Sequence, residues 1–404
     1  MIERKEYLSM LIENKDRDII KVVTGVRRCG KSTLFALYIN WLQKNGIAPD
    51  QIISVNLEAL EYEALNDYHA LYAYIKERLC PDRQNYVFID EVQNCKGFEK
   101  AVDSLFIKPN VDVYITGSNA FMLSGELATL LSGRYITVDM LPFSFWEYCQ
   151  STAAQGKPKR EQFNDYLRFG SFPYAAQLPR RDADVVPYLE GIYHTILLKD
   201  VARREGINDI SVLESIVKTL ASSVGSPISA KKIADTLCSA GRKISVNTVD
   251  RYLRALTDSY LFYETSRYDI KGRQHLKTLG KYYMVDTGLR NLLLAGGSAD
   301  LGHLIENIVF LELLRRRYKV NIGKLSEKEV DFVAASSDGV TYYQVAASVL
   351  DEATLKRELD PLRKINDNHP KLLLTLDEIG AGANYAGIRQ YNLIDWLLDE
   401  HAAS

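Results

Sequence analysis

The sequence predicts an α/β protein: a parallel sheet with flanking helices, then a helical and winged-helix region, then a small second α/β region. Three observations carry this. Short apolar runs alternate with amphipathic stretches over the first 140 residues or so. A glycine-rich turn separates the first strand from the first helix of that series. After Pro142 the pattern changes to helical periodicity that dominates to about residue 260, and short strands return after it. Alternating strands and helices imply parallel βαβ units, and continuously apolar strands suit a sheet covered on both faces.

The elements follow in order. DIIKVVT (18–24) is a β-branched strand, and residues 31–45 read as a helix. QIISVN (51–56) is a strand and 68–79 a helix; YVFI (86–89) is a strand and 98–106 a helix. VDVYIT (111–116) is a strand, 120–131 a helix and 135–138 a strand. STAAQGKPKR (151–160) is a polar loop. Helices at 229–240 and 245–259, joined by a turn at Gly241, precede two apolar strands, LFYET and KYYMVD, flanking a basic loop. Helix, turn, helix and hairpin is the order of a winged helix. A helix at 304–317, strands at 329–334 and 341–346, a helix at 354–364 and a strand at 371–376 complete the chain. The expected domains are 1–145, 146–222, 223–297 and 298–404.

Composition bounds the function. The chain has 404 residues, enough for two or three domains. Its net charge of -2 gives no global attraction to nucleic acid, so DNA contact requires a local basic patch. Five scattered cysteines, Cys29, Cys80, Cys95, Cys149 and Cys238, lack metal or disulfide spacing and read as free thiols. No secretory h-region and no run of about 18 apolar residues occurs, so a cytoplasmic protein with no membrane contact is expected.

The strongest chemical signal is Gly25-Val26-Arg27-Arg28-Cys29-Gly30-Lys31-Ser32, followed by Thr33. It fits GxxxxGK[ST] between a strand and a helix, the P-loop context. The glycines let successive backbone N–H groups form an anion-binding nest at a helix N-terminus. Lys31 brings a cation to the β- and γ-phosphates, and the Ser32 hydroxyl is a Mg²⁺ ligand. Val87-Phe88-Ile89-Asp90-Glu91 supplies the complementary acids: Asp90 for Mg²⁺ and Glu91 to polarise the attacking water. ATP and Mg²⁺ are therefore the expected ligands, and the second acid favours hydrolysis over passive binding. Ser118 or Asn119, ending the 111–116 strand, either hydrogen-bonds the γ-phosphate or caps a helix. Arg134 either stabilises charge on the transferring phosphoryl group, within the chain or in a neighbour, or is a surface arginine. Arg27 and Arg28 occupy variable loop positions.

These residues resemble a prokaryotic family of AAA+-like ATPases with a C-terminal domain of uncertain function. The resemblance covers nearly the whole chain. It rests on GVRRCGKST, VFIDEVQ, ITGSNAFML, LSGR and LPFSFWEY. Further on it rests on RFGSFPYA, HTILLKDVARR, KYYMVDTGLRN, HLIENIVFLEL, EKEVDFVA and YYQVAAS. Gly170-Ser171 stands where the family usually has two glycines. The resemblance implies that Arg134 is a finger on a neighbouring subunit's ATP, hence a homo-oligomer. It also implies a degenerate PD-(D/E)xK, restriction-endonuclease-like C-terminal domain. There Glu306 matches the helix acid and Asp331 the metal-binding aspartate. Gln344-Val345-Ala346 replaces Glu-x-Lys, so a nuclease-like fold without nuclease activity is expected. Arg267, Lys271, Arg273, His275 and Lys277 make loop 267–277 basic. This loop either contacts DNA phosphates or is solvated, and the helix-turn-helix either reads DNA or docks protein. Arg315, Arg316 and Arg317 suit a helix C-terminus.

Two functional readings follow. One is an Mg²⁺-dependent ATPase that moves its C-terminal domains; the other is a nucleotide-gated DNA- or protein-binding module with incidental turnover.

Overall fold

The computed structural model describes residues 2–118, 131, 133–152, 156–272, 274–294 and 301–399, with the side chains of 275–279 also left out. The chain divides into two compact units. The first is Met1–Leu141 with Asp258–Tyr260, and the second is Pro142–Thr257 with Leu261–Ser404.

The first unit is built on α1 (Lys5–Glu13), β1 (Ile20–Thr24), α2 (Lys31–Lys44), β2 (Ile52–Asn56) and α3 (Tyr68–Lys76). It continues with β3 (Asn85–Asp90), α4 (Phe98–Phe106), β4 (Val111–Gly117) and β5 (Tyr135–Asp139). The five strands are all parallel, in the order β2-β3-β4-β1-β5. Every residue of β1, β3 and β4 is buried, as helices on both faces require. Phe35 and Tyr38 of α2 pack edge-on and tilted against Phe88 and Tyr114 of the sheet. These elements match the sequence expectation to within a few residues. The expected 120–131 helix falls almost wholly outside the described residues. Helix α1 was not expected: its cap residue Arg4 makes no side-chain cap, and only Tyr7, Leu8 and Leu11 are buried.

The register puts the business end of the sheet in one place. Ile20 pairs with Tyr135, and Thr24 with both Asp139 and Gly117. The C-terminal ends of β1, β3 and β4 therefore lie side by side, where ligands bind in open parallel sheets.

The second unit opens with α5 (Phe145–Thr152), α6 (Lys159–Phe169) and α7 (Asp182–Thr195). A π-helical stretch, Ile196–Arg203, continues α7. Next come α8 (Ile210–Ser222), α9 (Ala230–Ser239), α10 (Val246–Asp258) and the hairpin β6 (Phe262–Asp269) and β7 (Gln274–Met284). After α11 (Thr287–Leu293) and α12 (Leu301–Arg315) come β8 (Lys319–Leu325), β9 (Lys328–Ser336), β10 (Gly339–Ala346) and α13 (Glu352–Arg363). β11 (Lys371–Thr375), β12 (Asn384–Tyr385), β13 (Ile388–Asn392) and α14 (Leu393–Leu398) complete it. The sheet order is β12-β13-β11-β10-β9-β8-β6-β7.

Two features differ from the sequence reading. The hairpin lies within residues 223–297 but its sheet does not: β6 pairs in parallel with β8, Arg267 facing Ile322, so one sheet runs across the expected boundary at 298. The basic loop is also shorter than 267–277, because β6 extends to Asp269 and β7 begins at Gln274.

The motif RFGSFPYA has a structural use. Gly170 has φ 75°, and a Cβ there would run into the Asp286 carboxylate. Asp286 accepts from Ser171 N at 2.6 Å, Ser171 Oγ at 2.9 Å and Leu289 N at 3.0 Å. Ser171, the departure from two glycines, thus adds a hydroxyl donor to the carboxylate that caps α11. Among the described residues no helix is long and apolar enough to cross a membrane.

Candidate functional site

The site grows from the turn between β1 and α2. Gly25 has φ 141°, and a Cβ on it would strike the Met140 carbonyl oxygen. Gly30 has φ 107° and sits at the N-cap of α2 without any side-chain cap. The first N–H groups of α2 are thus left without a capping side chain, which suits an anion. Val26 and Cys29 are fully buried and anchor the loop. Arg28 has φ 69°, and Arg27 pairs with Glu58 at 2.7 Å. Ser32 and Thr33 are exposed at the helix start.

Lys31 is 4% exposed. Its Nζ donates to Gly25 O at 3.0 Å and lies 3.6 Å from Glu91 Oε1. Asp90 ends β3 and Glu91 follows it, both buried. Thr116 of β4 links them: its hydroxyl donates to Asp90 and accepts from Glu91 N at 2.9 Å. Glu91 has φ 55°, a strained conformation for a non-glycine residue that this hydrogen bonding helps hold.

The two acids have different electrostatics. Burial pushes Asp90 above the usual aspartate value, opposed by hydrogen bonds from Ser32 and Thr116. Burial would raise Glu91 too, but Lys31 and Gln93 together hold it below the ordinary glutamate value. Glu91 is therefore an ionised carboxylate at neutral pH. The Ser32 hydroxyl and the Asp90 carboxylate, within hydrogen-bond reach of each other, form an oxygen donor pair that fits a hard cation such as Mg²⁺.

The sequence-level candidates divide cleanly. Lys31, Ser32, Asp90 and Glu91 converge. Ser118, 2% exposed at the end of β4, accepts from Gln93 Nε2 at 3.3 Å and borders them. Asn119 lies outside the described residues. Arg134 does not join its own chain's site. Its carbonyl accepts from Ile20 N at 2.9 Å, at the end of β1 opposite the glycine turn, roughly 15 Å of strand away. There it pairs with Asp103 at 2.8 Å and stacks over Phe106.

Three residues escaped the sequence reading: Thr116, Gln93 and Arg4. Gln93 donates to Glu91. Arg4, buried, donates to Cys29 O at 3.0 Å and Leu141 O at 2.7 Å, bracing the glycine turn from α1. Thr116 stands within ITGS, one residue before the turn, where the apolar strand pattern gives it no separate signal. Nothing in the spacing of Arg4 signals its contact.

An AAA domain is matched by residues 17–149, and a domain of unknown function by residues 160–300. An uncharacterized protein of Haemophilus influenzae is 39% identical over 401 residues, covering 98% of this chain and 99% of that protein. The chain belongs to its family, with an AAA domain in the first third. An uncharacterized protein of Methanocaldococcus jannaschii is 31% identical over 80% of this chain and 73% of its own length. A Walker-type ATPase of Pyrococcus abyssi superimposes with a TM-score of 0.53 at 16% identity, over 73% of this chain and 96% of that one. That likeness shows the fold alone: a parallel five-stranded sheet with flanking helices, as in P-loop NTPases.

In this family member the residues expected to be nuclease-like gather in the second unit around a lysine. Glu306, on α12, accepts from Tyr283 OH at 2.6 Å and from Lys281 Nζ at 3.1 Å. Lys281 also pairs with Glu329 at 2.7 Å. Burial alone would lower Lys281, but Glu306, Asp331 and Glu329 hold it above the ordinary lysine value. Burial and the Glu306 charge push Asp331 well above the aspartate range. Of the basic residues, Arg267 lies 3.7 Å from Glu329, and Lys271 is exposed and donates to Ser326. Arg273 lies outside the described residues, as do the side chains of His275 and Lys277. Arg315 and Arg316 are both bound to Glu312, and Arg315 also lies 3.8 Å from Glu147, a structural role.

Proposed function

We propose that the chain binds ATP with Mg²⁺ and hydrolyses it. One observation carries this reading: Lys31, Ser32, Asp90 and Glu91 meet at one end of the parallel sheet, beside a helix N-terminus without a side-chain cap. The backbone N–H groups of residues 26–33 and the Lys31 ammonium would take the phosphates. Ser32 and Asp90 would hold Mg²⁺, whose chemistry is to neutralise phosphate charge. Glu91, ionised and braced by Gln93, would orient a water and accept its proton as its oxygen attacks the terminal phosphorus. Lys31 would balance the charge that passes to the leaving phosphate oxygen. ADP and phosphate are the products.

The test is phosphate release from ATP by the wild type, Lys31→Ala and Glu91→Gln. The reading requires a wild-type rate well above both variants; equal rates in all three reject it.

We further propose that nucleotide turnover is coupled to partner binding by the second unit. Helices α9 and α10 with the β6–β7 hairpin follow the winged-helix order, and exposed Lys271 lies at the hairpin tip. DNA is the first partner to test, by electrophoretic shift with and without ATP at stated salt. A shift unaffected by nucleotide removes the coupling, and no shift in either condition leaves a protein partner.

A further inference from the structure

A charge cluster lies between β7, β9 and α12, inside the second unit. Lys281 is 4% exposed, and its ammonium touches Glu329 at 2.7 Å and Glu306 at 3.1 Å. Each of the two motif acids already has one oxygen engaged. Glu306 Oε1 takes both the Lys281 ammonium and the Tyr283 hydroxyl. Asp331 Oδ2 accepts from Val345 N at 2.8 Å. Gln344, at the position of the third acid, donates its amide to Glu358 at 2.9 Å. Ala346 brings no polar group. Among the described residues, no three His, Cys, Asp or Glu side chains are arranged to hold a metal ion. The acids of a metal-dependent nuclease therefore do not fit a metal here.

We infer that Lys281 is the resident cation of this cluster: an ammonium supplied by β7 takes the place of a divalent ion among Glu306, Glu329 and Asp331. The ammonium meets the same need as a metal, a positive charge among converging carboxylates in a site of little water. It differs in being covalently part of the chain. It joins the hairpin strand β7 to both α12 and β9 by ion pairs, to Glu306 and to Glu329. The sequence shows a missing lysine at position 346; the structure shows a lysine arriving from a strand some 65 residues earlier (346 against 281) and locking the acids. On this account the cluster binds no metal while Lys281 is present, and removing the ammonium frees Glu306, Glu329 and Asp331 to turn toward a divalent cation, an arrangement they do not have here.

The test is made on full-length protein carrying Lys31→Ala, without nucleotide, so that the P-loop does not contribute. Melting temperature and Mn²⁺ binding by electron paramagnetic resonance are read with and without millimolar MnCl₂. The parent should bind no Mn²⁺ at this cluster and show no shift. Adding Lys281→Ala should lower the melting temperature, and MnCl₂ should restore several degrees of it. Further addition of Glu306→Gln should abolish that rescue. Lys281→Met keeps the apolar stem and serves if the alanine variant does not fold. Two results overturn the inference. One is Mn²⁺ binding to the parent that Glu306→Gln removes, a measurement that needs no lysine variant. The other is a folded Lys281 variant whose stability and Mn²⁺ binding are unchanged by MnCl₂.

Discussion

At the scale of single residues, Glu91 is held below the ordinary glutamate value because Lys31 and Gln93 outweigh its burial. A base with a lowered pKa stays ionised further into acid. Glu91 itself should therefore impose no acid limb on the hydrolysis rate between neutral pH and the usual glutamate range near 4.3; Asp90, raised by burial, is the acid whose protonation costs activity first. An acid limb near neutrality that follows the protonation of Glu91 itself, read by the carboxyl resonance of that residue, would remove Glu91 as the base. Glu91→Gln should lower turnover by about 10²- to 10⁴-fold, the usual contribution of a general base, while nucleotide affinity persists. Gly25 makes a second residue-level case. Its φ of 141° and its approach to Met140 leave no room for a Cβ. Gly25→Ala should cost about 1–3 kcal/mol of stability, seen as a lower denaturation midpoint, and should weaken nucleotide binding. These residues were legible in the sequence because phosphate binding demands glycine, lysine and hydroxyl at fixed spacing. Thr116 and Arg4 were not legible. Their roles come from strand register and from a contact 25 residues along the chain, which no local pattern encodes.

At the scale of elements, β1 and β4 are stapled by a buried charge pair. Lys21 and Asp112 meet at 2.5 Å with side chains 0% and 2% exposed, and Asp112 also accepts from Tyr114 OH at 2.7 Å. Removing one partner leaves a charge or a neutralised acid unpaired in the core. Lys21→Met should therefore destabilise the protein by about 3–5 kcal/mol, and pairing it with Asp112→Leu should recover much of the loss. Urea denaturation of the two variants measures this; a double variant as unstable as the single one would refute it. The strands of the first sheet were readable because each has a mainly apolar, β-branched or aromatic centre bounded by turns. Helix α1 lacked a capping signal. Strand β8 was missed because KVNIGKL interleaves lysine and asparagine with its apolar positions, and β6 and β7 proved longer than their apolar centres. The joining of β6 to β8 was out of reach for the same reason as Thr116: sheet neighbours are chosen by tertiary packing.

At the scale of the whole molecule, the position of Arg134 bears on assembly. It lies at the end of β1 away from the glycine turn, so any action on ATP must be on a neighbouring chain. If it does act there, Arg134→Ala and Lys31→Ala proteins should each be inactive alone and regain phosphate release when mixed. Mixtures as inactive as their parts would remove Arg134 from the mechanism. The central claim is that backbone amides, the Lys31 ammonium and the Ser32–Asp90 pair grip Mg²⁺-ATP at the end of the parallel sheet. Titration calorimetry of Mg²⁺-ATP into wild type and Lys31→Ala tests it most directly. The account predicts a saturable heat at one site per chain in the wild type and its loss in the variant; a folded wild type that gives no heat, or two identical isotherms, would contradict it.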